Sequence, residues 1–216
     1  MKTKLVAVLM VAAAPLFGRL DEAAWKQVEE AGVQEGDLVF TRTGGPLFSR
    51  VGDATGSWCS HVGIVVGKKE GRWVVAESKI PVVCETDLRR FLNRSEGGRF
   101  EIRRPERALS PEEVERLKAF VAAKKGTWYD LGFNAQSKRQ FCSRFAREAL
   151  HEATGEWVGK EETFRELIAR NPKTPLWFWK TWYFGRIPWE RKTITPSNLL
   201  VCEELKTVVK GGLDGN

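Results

Sequence analysis

Two β-branched runs, Val62–Val66 and Trp73–Ala76, are separated by only six residues, Gly67-Lys-Lys-Glu-Gly-Arg72. A link that short and that rich in turn residues joins neighbouring strands as a hairpin, because a parallel pair needs a crossover of about a dozen residues or more. The chain is therefore committed to antiparallel sheet. Further strand signals are Gly36–Thr43 (GDLVFTRT), Val82–Val83 and Arg99–Arg103, the last alternating charged and apolar residues. Helical signals gather behind them. Ser110-Pro-Glu-Glu113 supplies a cap, a first-turn proline and acids against the helix dipole, and the helix runs to about Lys125, where Gly126 ends it. Phe141–Glu152 reads as a second helix, closed by Thr154-Gly155, and Glu161–Arg170 as a third. Asp21–Glu30 is a short amphipathic helix ahead of the strands, Leu47–Thr55 a short helical turn, and the polar tail Gly211–Asn216 a frayed end. Strands first and helices mostly after them give an α+β fold, with an antiparallel sheet or small barrel and helices packed on it.

Composition narrows the function. With 42% hydrophobic and 29% charged residues a packed core is feasible. Lys and Arg number 35 against 28 Asp and Glu, a net charge of +7 with no run of five like charges. A nucleic-acid partner is not indicated, while the basic excess suits an anionic wall polymer or a membrane surface. Cys59, Cys84, Cys142 and Cys202 form no C-x-x-C pair, which excludes zinc fingers and thioredoxin-type motifs, and no run of 18 apolar residues exists to span a bilayer. Lys2 and Lys4 precede an apolar run from Leu5 to Phe17, the pattern of an export signal over residues 1–18, which predicts an exported protein with a single catalytic domain over 19–216. The alternative is a cytoplasmic protein whose apolar N-terminus packs on the sheet.

One cysteine stands where chemistry is favoured. Cys142, in Gln140-Phe-Cys-Ser-Arg-Phe145, opens a predicted helix, and free N–H groups and partial positive charge there lower a thiol pKa and hold an oxyanion. A thiol nucleophile needs a base, and the chain has two histidines. His151 lies nine residues after Cys142, half a turn out of phase on the same helix, which leaves His61 at the start of the first hairpin strand. If the hairpin turn centres near residue 69, Glu77 faces His61 on one side of the sheet and can hold the imidazole. A one-residue slip would remove it. Tyr129, thirteen residues before Cys142, is a candidate oxyanion donor. Cys59 shares a strand face with His61 if the strand reaches back that far, with packing as its expected role; Cys84 and Cys202 carry no motif. The aromatic segment from Trp177 to Trp189 is a core or cleft wall, with interfacial binding beside Lys180, Arg186, Arg191 and Lys192 as the sharper alternative.

These motifs together resemble the NlpC/P60 superfamily of papain-like cysteine peptidases in its circularly permuted YiiX/YebB-like branch. The resemblance rests on GDLVF at Gly36–Phe40, SHVGIV at Ser60–Val65, VAES at Val75–Ser78 and FCSRF at Phe141–Phe145, with the histidine strand ahead of the cysteine helix. The ending Phe178–Ser197 is similar to YebB-like proteins. The resemblance implies a papain-like fold and a cysteine-dependent hydrolase of amide bonds, with Cys142 as nucleophile, His61 as base, Glu77 as orienting acid and Tyr129 beside the oxyanion. It implies no cofactor and no metal, and a peptide-like substrate such as cell-wall peptide, or an acyl substrate. Two rival readings keep the same residues: an acyltransferase or lipid hydrolase acting on an ester, and a binding protein with a silent site.

Overall fold

The computed structural model describes residues 20–172 and 174–212. The export reading of residues 1–18 and most of the polar tail lie outside the described residues. The elements run α1 (Glu22–Glu30), β1 (Leu38–Thr43), α2 (Pro46–Thr55), β2 (His61–Lys69), β3 (Arg72–Ser78), β4 (Val83–Asp87), α3 (Leu88–Leu92), β5 (Ser95–Pro105), α4 (Pro111–Lys124) and α5 (Cys142–Thr154). They continue with β6 (Glu162–Thr163), α6 (Phe164–Arg170), α7 (Leu176–Trp182), β7 (Lys192–Thr193), α8 (Pro196–Leu200) and β8 (Leu205–Gly211). Six strands form one antiparallel sheet in the order β4-β3-β2-β1-β5-β8, so the sheet arrangement holds rather than a closed barrel; β6 and β7 pair separately.

Alternation along the central strands divides the core in two. Val62, Ile64, Val74 and Ala76 face α4 and α5, meeting Leu117, Val121, Phe145 and Ala149. Val39, Val65, Val75 and Ile102 face the other way, against Val28 of α1 and Leu88, Phe91 and Leu92 of α3. The sheet is covered on both faces, which is why β2 is buried from His61 through Gly67.

The hairpin is tighter than its sequence suggested. β2 and β3 run on to Lys69 and Arg72, and Glu70-Gly71 alone makes the turn, both with positive φ (51° and 77°), as a two-residue hairpin turn of that hand requires. Lys69 pairs with Arg72 and Gly67 with Val74, but Val65 pairs with Val75. Val66 is thus an extra residue, a β-bulge on β2 beside Gly67 at φ 136°. α4 carries the capping box that its sequence predicted: the Ser110 hydroxyl accepts from the Glu113 N–H, and Glu113 accepts in return from the Ser110 N–H at 2.8 Å. α5 starts at Cys142 behind Phe141 and has no side-chain cap, so its first N–H groups are not satisfied by a side chain.

Candidate active site

The site lies where the start of β2 meets the start of α5. α5 packs across the Val62 and Ile64 face of the sheet, which carries its first residue, Cys142, to the start of β2, beside His61. Both residues are buried, at 4% and 3% exposure. His61 Nε2 lies 2.8 Å from Glu77 Oε2, and the imidazole stacks on Phe91 with ring centroids 5.5 Å apart. With Nε2 committed, the buried Nδ1 has no hydrogen-bond partner among the described residues and is the nitrogen left to serve Cys142, whose thiolate the ring favours. Thiol, imidazole and carboxylate therefore stand in series.

The register behind the His61–Glu77 pair differs from the expected one. With Ile64 opposite Ala76, the ladder runs so that Glu77 falls across from position 63, not 61. His61 and position 63 are two apart and share a face, so Glu77 reaches His61 diagonally. The turn sits further along the chain than predicted, and the bulge at Val66 returns one residue of that shift. Without the bulge Glu77 would oppose Ile64 and point at α5 instead. Gly63 leaves room for the diagonal: a Cβ there would come within 2.4 Å of Val75 and 3.0 Å of the Phe91 ring.

Glu77 is fully buried, yet every part of its carboxylate is engaged. Besides His61 it accepts from the Arg94 guanidinium at 2.7 and 2.9 Å and from the Thr86 hydroxyl at 2.5 Å, with Lys79 Nζ at 3.4 Å. Burial opposes its charge, but the His61 hydrogen bond and charge, then Arg94 and Thr86, hold its carboxyl far below the usual range. Burial also works against a charged His61; contact with Cys142 and then Glu77 outweighs it and pushes the imidazole up to about 9. For Cys142, burial raises the thiol, whereas His61 and the backbone N–H groups of Val62 and Ser143 bring it below its ordinary value. The three shifts agree in sense: they favour a thiolate–imidazolium pair over a neutral thiol and imidazole.

Tyr129 is brought to the same place. Its segment is pinned on both sides: Tyr129 N–H donates to Pro81 at 2.8 Å and Gln140 N–H to Trp128 at 3.0 Å, so the intervening loop returns to the head of α5. Its hydroxyl neighbours both the Cys142 thiol and the Cys142 backbone N–H. Burial and the nearby thiolate raise its pKa, which keeps it a proton donor.

The remaining candidates stand apart. His151 is half-buried, stacked on Trp157 with ring centroids 3.6 Å apart in the last turn of α5. Cys59 precedes β2 instead of sharing its strand, and its thiol points at the carbonyls of His61 and Thr41. Burial raises it well above the usual thiol range. Cys84 lies on β4 and Cys202 beside α8, where burial pushes its thiol up to about 11; all four cysteines are free. Sequence reasoning missed Arg94, Thr86 and Phe91. Thr86 would have been found had β4 been carried past Val83. No spacing rule points from Glu77 to Arg94, which reaches it from the turn after α3.

Beside Cys142 lies an apolar pocket walled by Phe48 and Val51 of α2, Tyr129, Phe133, Phe164 and Trp179. Its free volume is about 30 Å³, room for one water, so a larger group enters only as these side chains move.

Replacing Glu77 with glutamine tests the electrostatic part of this arrangement. The amide keeps the shape but not the charge that favours imidazolium. The alkaline limb of kcat/KM against pH, set by loss of the His61 proton near 9, is expected to move to lower pH by about one unit or more, with a rate loss on the order of 10²-fold. A limb that stays in place would make Glu77 a structural partner of Arg94 only.

A model of the family described as "Permuted papain-like amidase enzyme, YaeF/YiiX, C92 family" matches residues 32–209. The chain is 26% identical to the "Uncharacterized protein YiiX" of Escherichia coli (strain K12) over 210 residues, covering 97% of this chain and 96% of that protein. The crystal structure described as metalloprotein yiiX from Escherichia coli O157:H7 superposes with a TM-score of 0.76 at 28% identity, covering 83% of this chain and 98% of that one. These relatives lie on the YiiX side of the expected branch, whereas the sequence ending had suggested YebB.

Proposed function

Because the chain belongs to the permuted papain-like amidase family YaeF/YiiX, we propose that it is a cysteine amidase built on Cys142, His61 and Glu77. The observation that carries the reading is the buried series of thiol, imidazole and carboxylate at the uncapped start of α5. The Cys142 thiolate attacks the amide carbonyl, and the oxygen that becomes negative takes hydrogen bonds from the Cys142 N–H and the Tyr129 hydroxyl. The imidazolium gives its proton to the leaving nitrogen, the C–N bond breaks, and a thioester remains on Cys142. Neutral His61 then takes a proton from water as its oxygen attacks the thioester, the acid leaves, and the thiolate–imidazolium pair is restored. Glu77 holds the ring through Nε2 and balances its charge.

The apolar pocket favours an amide whose acyl part is apolar over a charged wall peptide. The same lining accommodates an ester, so acyl transfer or lipid hydrolysis on the same residues is the second reading. A metal centre is not part of either. One relative is described as a metalloprotein, but among the described residues of this chain no three His, Cys, Asp or Glu side chains gather where they could hold an ion.

The test is release of amine from N-acyl anilides of graded acyl length, set against wall-type peptides carrying free carboxylates. Cleavage that depends on Cys142 and rises with acyl length is expected. Faster cleavage of the charged peptides would overturn the substrate reading, and absence of any acyl-enzyme would overturn the enzyme. Tyr129→Phe is expected to lower kcat by about 10²-fold with KM little changed, since one of two oxyanion donors is lost. An equal loss confined to KM would place Tyr129 in the pocket wall alone.

A further inference from the structure

α7 has two unlike faces. Trp179 points inward and helps wall the pocket beside Cys142. Trp177, Lys180 and Thr181 point outward, at spacings that share one side of a helix. Trp177 is 63% exposed, and Phe184, just past the helix end, is 95% exposed. Phe184 also holds φ at 50°, a left-handed conformation that costs a bulky side chain and that glycine or asparagine would take more easily. Among the described residues, no other ring or cation packs on it. Leu176 and Leu131 extend the apolar surface, Leu131 being tied to the ridge by the Trp182 indole N–H on its carbonyl at 2.9 Å.

The charge carried by the segment itself has one sign; beside it, Arg50 lies over the Trp177 ring and is paired with Asp53. From Asn171 to Trp189 there is no Asp or Glu, while Lys173, Lys180 and Arg186 fall in the same stretch. Among the described residues, no carboxylate pairs with Lys180 or Arg186, and both are exposed. Projecting aromatic rings set among unneutralised cations, on a chain of net charge +7, match the boundary of an anionic bilayer. There the rings enter the headgroup region and the cations meet lipid phosphates. We propose that the ridge from Leu176 to Arg186 docks the protein on the surface of an anionic membrane, with Trp177 and Phe184 inserted and Lys180 and Arg186 on the headgroups. Docking in this way would turn the wall of the Cys142 pocket toward the lipid, but it does not depend on the amidase reading.

Co-sedimentation of the full chain with vesicles decides it, comparing pure phosphatidylcholine with phosphatidylcholine containing about 25% phosphatidylglycerol. Wild type is expected to partition at least about tenfold more strongly onto the anionic vesicles, and about 0.5 M salt should remove most of that preference. The double variant Trp177→Ala/Phe184→Ala should lose about tenfold or more, as should Lys180→Glu/Arg186→Glu, with thermal stability unchanged because these side chains are exposed. All proteins compared carry the same residues 1–19, so the differences report the ridge. Cys142→Ala should bind as wild type does, which separates failure of docking from failure of catalysis. Equal vesicle binding by wild type and the Trp177/Phe184 variant would overturn the proposal. So would a wild-type dimer that this variant dissociates and that binds no vesicles, because the ridge would then be an interface between copies of the chain.

Discussion

Cys142→Ala is expected to lower turnover by about 10³-fold or more while leaving a folded protein. The size of the loss follows from how the other thiols are placed. Cys59 is buried, raised in pKa and aimed at backbone carbonyls, and Cys84 and Cys202 lie on other elements. None can replace the thiol that His61 and the N–H groups of Val62 and Ser143 hold low. The structural cost is small, because removing one sulfur beside an apolar pocket forfeits about 1 kcal/mol. Rates of amine release, paired with melting temperatures and labelling by a thiol-reactive acyl probe, give the check. Activity within about tenfold of wild type would end the cysteine-hydrolase reading.

His61→Ala is expected to cost nearly as much, again on the order of 10³-fold. Loss of a base beside a buried acid often unfolds a protein by stranding a charge. Here Glu77 keeps Arg94, Thr86 and Lys79, so the fold should survive and the kinetic effect should be readable. Without the imidazolium the Cys142 thiol loses its main stabilising charge. Residual activity should therefore climb with pH through the alkaline range instead of falling there. The paired control is His151→Ala, expected to stay within about twofold because its ring is occupied by Trp157 away from the thiol. Loss in the His151 variant with an active His61 variant would reverse the assignment of the base.

The antiparallel sheet, the helix that starts at Cys142 and the capping box of α4 could be read because each rests on neighbours in sequence. What escaped rests on tertiary context. β4 runs through Cys84-Glu-Thr-Asp87, too polar to look like a strand, and it sits at a sheet edge, where charge is tolerated. β8 at the opposite edge carries two lysines and was missed for the same reason. α7 was hidden because tryptophan and phenylalanine favour strands locally, whereas here Phe178 stacks on Trp182 and Trp179 on Tyr183 at helical spacing. The His61–Glu77 pair was legible only in part. The face came out right, but two deviations, a displaced turn and an unseen bulge, combined to keep it so.

That bulge gives the hairpin an uneven tolerance to change in length. Beyond Gly67 the two strands lead only to the exposed Glu70-Gly71 tip, and residues added there would extend a loop in water without disturbing the pairs nearer the sheet centre. Between His61 and Val66 the arithmetic is one of odd and even. A single deletion between Val62 and Val65 that keeps the bulge would put the imidazole and the acid on opposite faces, whereas deletion of Val66 itself would leave a regular ladder with Glu77 still across from Gly63. Two hairpins of equal length and nearly equal sequence could then differ entirely in catalytic competence. An aligner that places a gap one position wrongly in this strand would confuse them.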